Sequence, residues 1–171
     1  MTSSELDYLD RINKKIFDPP QELVPTLERL RAEGKTIVFG NGCFELLHVG
    51  HIRYLFAAKA LGDILVVGVN TAESVKITKP DRTPVNPDHE RREIIASLEA
   101  VDFVVPLREQ TPIELLEILK PDIHTKGTDY KAEDLPEARI VEGYGGRVAI
   151  VGDPKDHSVT DMLAEMKERE E

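Results

Sequence analysis

The chain has 171 residues, a formal net charge of −10 at pH 7 and a single cysteine, Cys43. An acidic balance of this size argues against duplex DNA or tRNA as a partner, because a long phosphate backbone requires an extended basic face, whereas a small phosphorylated ligand needs only a local basic cleft. One cysteine excludes an internal disulfide and a four-cysteine zinc site.

The N-terminal segment predicts two helices. Apolar residues recur at roughly helical spacing over residues 4–16, until Pro19 and Pro20 end the pattern. A second helix is expected over residues 22–32. This polar, acidic start has neither the basic nor the apolar region of a signal peptide, and no apolar run in the sequence has membrane-spanning length. We therefore expect a cytoplasmic protein with no membrane partner.

The remainder of the chain predicts an α/β fold, because short β-branched runs alternate with helical patterns from Thr36 onward. Strands are expected at residues 36–39, 64–69, 103–105, 123–126 and 148–151. Helices are expected at residues 48–60, 87–98, 112–119 and 136–144, with a last one from about Val159. The predicted architecture is a Rossmann-like, doubly wound, parallel five-stranded sheet with helices on both faces, preceded by the N-terminal helices.

The first strand leads into the most informative segment of the sequence. Two glycines, Gly40 and Gly42, join the strand to a helix whose first turn carries His48 and His51. The histidines are three residues apart and lie on one helix face, and Gly50 between them leaves room for a ligand. Backbone N–H groups, the helix dipole and both rings then favour phosphate binding. A solvated helix face and half of a zinc site are the alternatives.

These residues resemble the motif of a known enzyme superfamily. The segment Gly42-Cys43-Phe44-Glu45-x-x-His48-x-Gly50-His51 is similar to the Gly-Thr-Phe-Asp-x-x-His-x-Gly-His motif of the nucleotidyltransferases. From about Leu23 to the last helix, the chain most resembles the adenylyltransferases of ADP-heptose synthesis, which make the activated sugar for the lipopolysaccharide inner core. The matching segments are Asn41-Gly42-Cys43-Phe44, Arg82-x-Pro84-Val85-Asn86-Pro87, Leu98-Glu99-Ala100-Val101-Asp102 and Lys126-Gly127-Thr128-Asp129-Tyr130.

The resemblance implies a division of the chain and a reaction. Residues 1–34 would form an N-terminal helical extension, and residues 35–171 the nucleotidyltransferase domain. ATP, carrying Mg²⁺ on its triphosphate, would donate AMP to a sugar 1-phosphate, with D-glycero-β-D-manno-heptose 1-phosphate as the expected acceptor. His48 and His51 would stabilise the reacting phosphates. Lys76 and Lys79, in the loop after the second strand, would offset the repulsion between the two anions.

Further residues are assigned to the nucleotide by the same resemblance: Gly42, Cys43, Phe44, Gly50, Arg91, Lys126, Gly127, Asp129, Ser158 and Thr160. Ser158 and Thr160 open the last helix, where hydroxyl and free N–H groups hold the β and γ phosphates opposite the histidines. For Arg91 an ion pair on a solvated helix is the alternative, and for Cys43 the alternative is simple packing.

The acceptor is expected to contact Asn41, at the end of the first strand, and Glu45. Glu45 stands where the superfamily usually has aspartate, and Thr128 stands where the heptose enzymes usually have glycine, a change that could restrict the backbone. Other open alternatives are a cytidylyltransferase or related enzyme acting on glycerol 3-phosphate or another phosphorylated acceptor, and a non-catalytic nucleotide-binding module. Family precedent and the two leading helices suggest a homodimer.

Overall fold

A computed structural model of the chain describes residues 3–78, 80, 83–131 and 134–153. Its strands are β1 (Ile37–Gly42), β2 (Ile64–Asn70), β3 (Phe103–Leu107), β4 (Ile123–Lys126) and β5 (Arg147–Ile150). The helices are α1 (Ser3–Asn13), α2 (Val24–Ala32), α3 (Val49–Lys59), α4 (Ala72–Thr78), α5 (Asp88–Ala96), α6 (Ile113–Leu119) and α7 (Ala138–Gly143), and a 3-10 turn (Pro20–Leu23) precedes α2. The last predicted helix lies outside the described residues.

The five strands form one parallel sheet in the order β3-β2-β1-β4-β5. The chain moves outward from β1 to β3 and then crosses back to the other side of β1, so the strand order reverses between β1 and β4. This architecture confirms the predicted doubly wound, Rossmann-like α/β fold. In such sheets, ligands bind outside the carboxyl ends of the strands at the point of reversal.

Both faces of the sheet are buried, as the nearly continuous apolar runs of the strands predict. One cluster contains Phe39 and Val66 together with leucines from α2 and α6. The other contains Val38 and Val67 together with residues from α3 and α5. Because side chains alternate along each strand, neighbouring residues supply opposite clusters, and the helices are held on both faces.

The N-terminal segment shares this core and also covers one edge of the sheet. Leu23 and Leu27 are fully buried in the cluster that contains Phe39. The Val104 amide of β3 donates to the Lys15 carbonyl at 2.8 Å, and the Phe17 amide donates to the Val104 carbonyl at 2.9 Å. These bonds occupy backbone groups that an edge strand would otherwise expose. The domain boundary at residue 34 stays a prediction.

Helix α4 differs from the expectation that a loop follows β2. Thr71 precedes this helix, and its side-chain oxygen accepts a hydrogen bond from the Ser74 amide at 3.3 Å. The Val75 amide donates to the Thr71 carbonyl at 3.0 Å. A helix start of this kind stabilises even a short helix, and Lys76 therefore lies on a helix and not in a loop. None of the described helices is both long and apolar enough to cross a membrane.

Candidate functional site

The candidate site lies where β1 and β4 end, at the reversal of strand order. β1 ends with Asn41 and Gly42, and β4 ends with Lys126, so these residues reach the same edge of the sheet. The segment after β1 leads directly into α3, whose first turn faces this edge of the fold. The motif after β1 and the end of β4 therefore lie at the same edge of the sheet.

The turn after β1 depends on a close approach between Gly42 and Phe44. A Cβ atom on Gly42 would lie 3.1 Å from two carbons of the Phe44 ring, which is tighter than an ordinary van der Waals contact. Phe44 itself has a φ of +46°, in the left-handed region that a bulky residue seldom adopts. Strained backbone of this kind persists where surrounding packing enforces it and is frequent at functional sites. Here the ring is buried, 5% exposed.

His48 and His51 stack on each other at the start of α3. Their ring centroids are 3.8 Å apart with an interplanar angle of 27°, and the edge of the Phe44 ring packs against His51 with centroids 5.3 Å apart. The His48 amide donates to Nδ1 of His51 at 3.4 Å. Gly50 lies between them in the first turn of the helix. The two imidazoles are therefore held as a unit in the first turn of the helix.

The protonation state of His51 follows from this packing. Burial and the neighbouring His48 lower the pKa of His51 to about 4. The ring is therefore neutral near pH 7, and since Nδ1 accepts a hydrogen bond, its proton lies on Nε2. In the free protein His51 is a neutral donor, and a bound anion would raise its pKa.

Arg91 is buried and holds the backbone of the turn. Its Nη1 donates to the Cys43 carbonyl at 2.5 Å, and its Nε donates to the Asn86 carbonyl at 3.1 Å. The side chain is only 1% exposed, which excludes the alternative of a solvated surface ion pair. Burial lowers the pKa of Arg91, and the charge of Asp88 opposes this effect. Its Nη2 has no hydrogen-bond partner among the described residues.

A second buried polar group lies at the end of β4. Nζ of Lys126 donates to Oδ1 of Asn41 at 3.1 Å and lies 3.0 Å from Oε1 of Glu137. The ammonium also sits over the ring of Tyr130, 5.3 Å from its centroid. Oε1 of Glu137 is 3.6 Å from Nε2 of His124. Burial raises the pKa of Glu137, but the neighbouring His124 and the charge of Lys126 outweigh it and hold that pKa at about 2.

Sequence reasoning named Lys126 and Asn41 but missed Glu137. The Glu137 side chain is buried, 3% exposed for the residue as a whole, and it immediately precedes α7. Its position 11 residues after Lys126 carries no recognised spacing. A possible signal was the Pro136-Glu137 start of a helix that follows a strand ending in lysine.

The segment after β4 is tied to the segment after β5. The Thr128 hydroxyl donates to the Asp153 carbonyl at 2.7 Å, and Arg53 of α3 forms an ion pair with the Asp153 carboxylate at 2.7 Å. A Cβ atom on Gly127 would meet Oδ1 of the exposed Asp129 at 2.9 Å. Thr128 is not among the described residues with positive φ, so threonine in place of glycine imposes no such strain here.

The remaining predicted residues are placed as follows. Glu45 is buried, 6% exposed, and its backbone carbonyl accepts a bond from Nδ2 of Asn86 at 3.4 Å. Lys76 is exposed on the last turn of α4. Lys79, Ser158 and Thr160 lie outside the described residues, so the second phosphate-binding element expected opposite the histidines stays a prediction.

Comparison with known proteins identifies relatives over most of the chain. Residues 39–170 match the family model described as cytidylyltransferase-like. The chain is 40% identical over 171 residues to the bifunctional protein HldE of Syntrophotalea carbinolica, covering 100% of this chain and 34% of that protein. It is 44% identical to the HldE of Pelobacter propionicus, covering 86% of this chain and 30% of that protein. The chain therefore spans about a third of these relatives.

Two solved structures are also similar. The lipopolysaccharide core biosynthesis protein from Thermoplasma volcanium has a TM-score of 0.58 and 32% identity, covering 69% of this chain and 95% of that chain. The pantoate-β-alanine ligase from Francisella tularensis, solved with β,γ ATP and β-alanine, has a TM-score of 0.59 and 18% identity, covering 89% of this chain and 76% of that chain. The second likeness shows the fold alone.

Proposed function

Because the chain belongs to the cytidylyltransferase-like family, we propose that it is an adenylyltransferase that transfers AMP from ATP to a sugar 1-phosphate. The proposed acceptor is D-glycero-β-D-manno-heptose 1-phosphate, and the products are ADP-heptose and pyrophosphate. The motif resemblance supports the heptose, as do the HldE relatives and the lipopolysaccharide core biosynthesis protein.

The observation that carries the proposal is the stacked pair of His48 and His51 at the start of α3 beside the β1 turn. An oxygen of the sugar phosphate attacks the α-phosphorus of ATP, the bond from that phosphorus to the bridging oxygen breaks, and pyrophosphate leaves. Two anions must be aligned against their repulsion, which is the main task of such a site. Nε2–H of the neutral His51 supplies a preorganised donor for a phosphate oxygen.

Other residues take supporting roles in this proposal. Arg91 acts through the Cys43 carbonyl by holding the turn that carries Gly42 and Phe44. Lys76 and Lys79 would offset repulsion between the substrates, and Ser158 and Thr160 would hold the departing pyrophosphate. These four roles rest on the resemblance.

Magnesium is proposed to reach the site with ATP. Within residues 3–78, 80, 83–131 and 134–153, no three histidine, cysteine, aspartate or glutamate side chains come together as a metal site. Mg²⁺ commonly keeps several waters and binds through substrate phosphates, so the proposal needs no protein cage for the ion.

Pyrophosphate release from defined substrate pairs tests the reaction. We expect release with ATP and heptose 1-phosphate, and little release when CTP replaces ATP or glycerol 3-phosphate replaces the sugar. Turnover with CTP and glycerol 3-phosphate alone would overturn the assignment in favour of a cytidylyltransferase. ATP binding by calorimetry without turnover of any acceptor would indicate a non-catalytic nucleotide-binding module.

His51→Ala tests the mechanism more directly. Loss of one preorganised donor commonly costs about a hundredfold or more in turnover, and we expect that fall in kcat. His89→Ala is the matched control, because His89 is an exposed histidine on α5. Circular dichroism should show both variants folded. An unchanged kcat in His51→Ala would remove this residue from the mechanism.

The remaining proposals concern the setting of the enzyme. We propose a cytoplasmic protein whose partners are a nucleotide and a sugar phosphate, without nucleic acid or membrane, and which forms a homodimer. The net charge of −10 supports the exclusion of nucleic acid. Light scattering on the purified protein tests the dimer, and a monomer mass across the micromolar range would refute it.

A further inference from the structure

The chain of contacts from Glu137 through Lys126 to Asn41 fixes what Asn41 can offer to a ligand. An ammonium group has only donors, so the Asn41 atom 3.1 Å from Nζ of Lys126 must be its oxygen. The contact with Lys126 therefore determines the orientation of the Asn41 side-chain amide. With this orientation, the two N–H donors of Nδ2 are the groups of Asn41 that Lys126 leaves unengaged.

The charge of Lys126 is compensated before any substrate arrives. Its Nζ lies 3.0 Å from the Glu137 carboxylate, and the two side chains are 10% and 4% exposed. Burial lowers the pKa of the adjacent His124, which favours its neutral form. The charges of Lys126 and Glu137 therefore compensate each other locally. The group available to contact the ligand is the uncharged side-chain amide of Asn41.

A neutral donor at the edge of a phosphate-binding crevice suits an uncharged oxygen. The phosphates of both substrates are best placed against the histidines and the start of α3, where charge is stabilised. We propose that Glu137 is a positioning residue that acts through Lys126 to fix the Asn41 amide as a hydrogen-bond donor to a hydroxyl of the acceptor sugar. This inference rests on the proposed function, since it assumes a sugar phosphate acceptor.

Steady-state kinetics of Glu137→Gln test the inference. We expect the KM for heptose 1-phosphate to rise about tenfold, the loss typical of one misplaced hydrogen bond, while the KM for ATP and kcat change by less than about twofold. Glu142→Gln is the matched control, because Glu142 is exposed on the same helix α7. A merely structural role of Glu137 would change both KM values and kcat together. A rise in the KM for ATP alone would also overturn the proposal, because the hydroxyl would then belong to the nucleotide.

A second variant covers the case in which Glu137→Gln does not fold. Lys126→Met/Glu137→Leu removes both buried charges, so neither is left uncompensated. We expect the acceptor KM to rise by a similar factor. The KM for ATP is not used as a control in this variant, because the resemblance also assigns Lys126 to the nucleotide. An unchanged acceptor KM in this folded variant would refute the role of the pair.

Substitutions of Asn41 distinguish a hydroxyl from a phosphate. A hydroxyl both donates and accepts, so Asn41→Asp should raise the acceptor KM no more than Asn41→Ala does. A phosphate would be repelled by the new carboxylate, and a KM tenfold higher for Asn41→Asp than for Asn41→Ala would overturn the assignment to a hydroxyl.

A spectroscopic measurement separates this inference from the proposed function. In the free, isotope-labelled protein, Glu137→Gln should shift the side-chain amide resonances of Asn41, and Glu142→Gln should leave them in place. Unshifted resonances in Glu137→Gln would refute the positioning role. If the unsubstituted protein makes no ADP-heptose, the proposed function fails, whereas the resonances still decide whether Glu137 positions Asn41.

Discussion

Arg91→Met is expected to destabilise the protein strongly, although Arg91 lies on the same helix as several exposed charged residues. The guanidinium makes two hydrogen bonds to backbone carbonyls, at 2.5 Å to Cys43 and 3.1 Å to Asn86. Each bond from a charged donor contributes about 1.5 kcal/mol at the low end of the usual range. Methionine retains much of the apolar length but neither bond, so we expect the free energy of unfolding to fall by about 3 kcal/mol.

Urea unfolding followed by circular dichroism measures this loss, and for a chain of this size it corresponds to a fall in Tm of roughly 6–12 °C. Arg92→Met is the control, because Arg92 forms an ion pair with Asp18 at 3.2 Å, and Arg108 also contacts that carboxylate. We expect that variant to lose less than about 1 kcal/mol. If the two variants lost the same free energy within about 0.5 kcal/mol, the reasoning about Arg91 as a tether of the turn would be refuted.

Two further predictions concern the same turn and helix start. The pKa of His51 is about 4 in the folded protein, against an ordinary value of 6.5. Between these two pH values the unfolded chain binds more protons than the folded protein does. The free energy of unfolding should therefore fall as the pH is lowered from 6.5 to 4. His51→Gln should reduce that pH dependence in urea unfolding, and an identical profile would contradict the neutral state of His51. Gly42→Ala places a Cβ 3.1 Å from the Phe44 ring and should lower the free energy of unfolding by about 1–2 kcal/mol. The control is Gly143→Ala in α7, where a Cβ meets nothing within 4 Å and the change should be neutral or stabilising. Equal Tm values for the two variants would count against the close contact.

The strands could be predicted because most of them contain a short apolar or β-branched run between polar turns. Ile123–Lys126 agrees in full with the expected strand, and Ile64–Asn70 exceeds its prediction by one residue. Such runs reflect burial on both faces of the sheet, a property that the local sequence carries. Helix Ala72–Thr78 was missed because it spans only two turns, and its start depends on a single Thr71 cap that is easily taken for a loop residue.

Contacts between residues of the candidate site could be predicted only where those residues are neighbours in sequence. His48 and His51 meet because of helix spacing alone, which the sequence shows directly. The contact of Arg91 with Cys43 joins residues 48 positions apart and requires α5 to pack below the β1 turn. The pairing of Lys126 with Glu137 likewise requires the chain to return to the end of β4 before α7 begins. Contacts of this kind leave no local sequence pattern from which they could be predicted.

The protonation of the two histidines in the proposed reaction is constrained by the geometry of the pair. Raising the pKa of His51 from about 4 to 7 would require an interaction with the ligand of at most about 4 kcal/mol. Solvent screening at this partly exposed ring lowers that figure. The rings of His48 and His51 lie 3.8 Å apart, and two imidazolium charges at that distance would repel each other by roughly 4 kcal/mol at an effective dielectric constant of 20. A triphosphate therefore favours at most one imidazolium in the pair, and the other ring acts as a neutral donor. In the proposed reaction, further positive charge for the substrates would then come from the helix start and from Lys76 and Lys79.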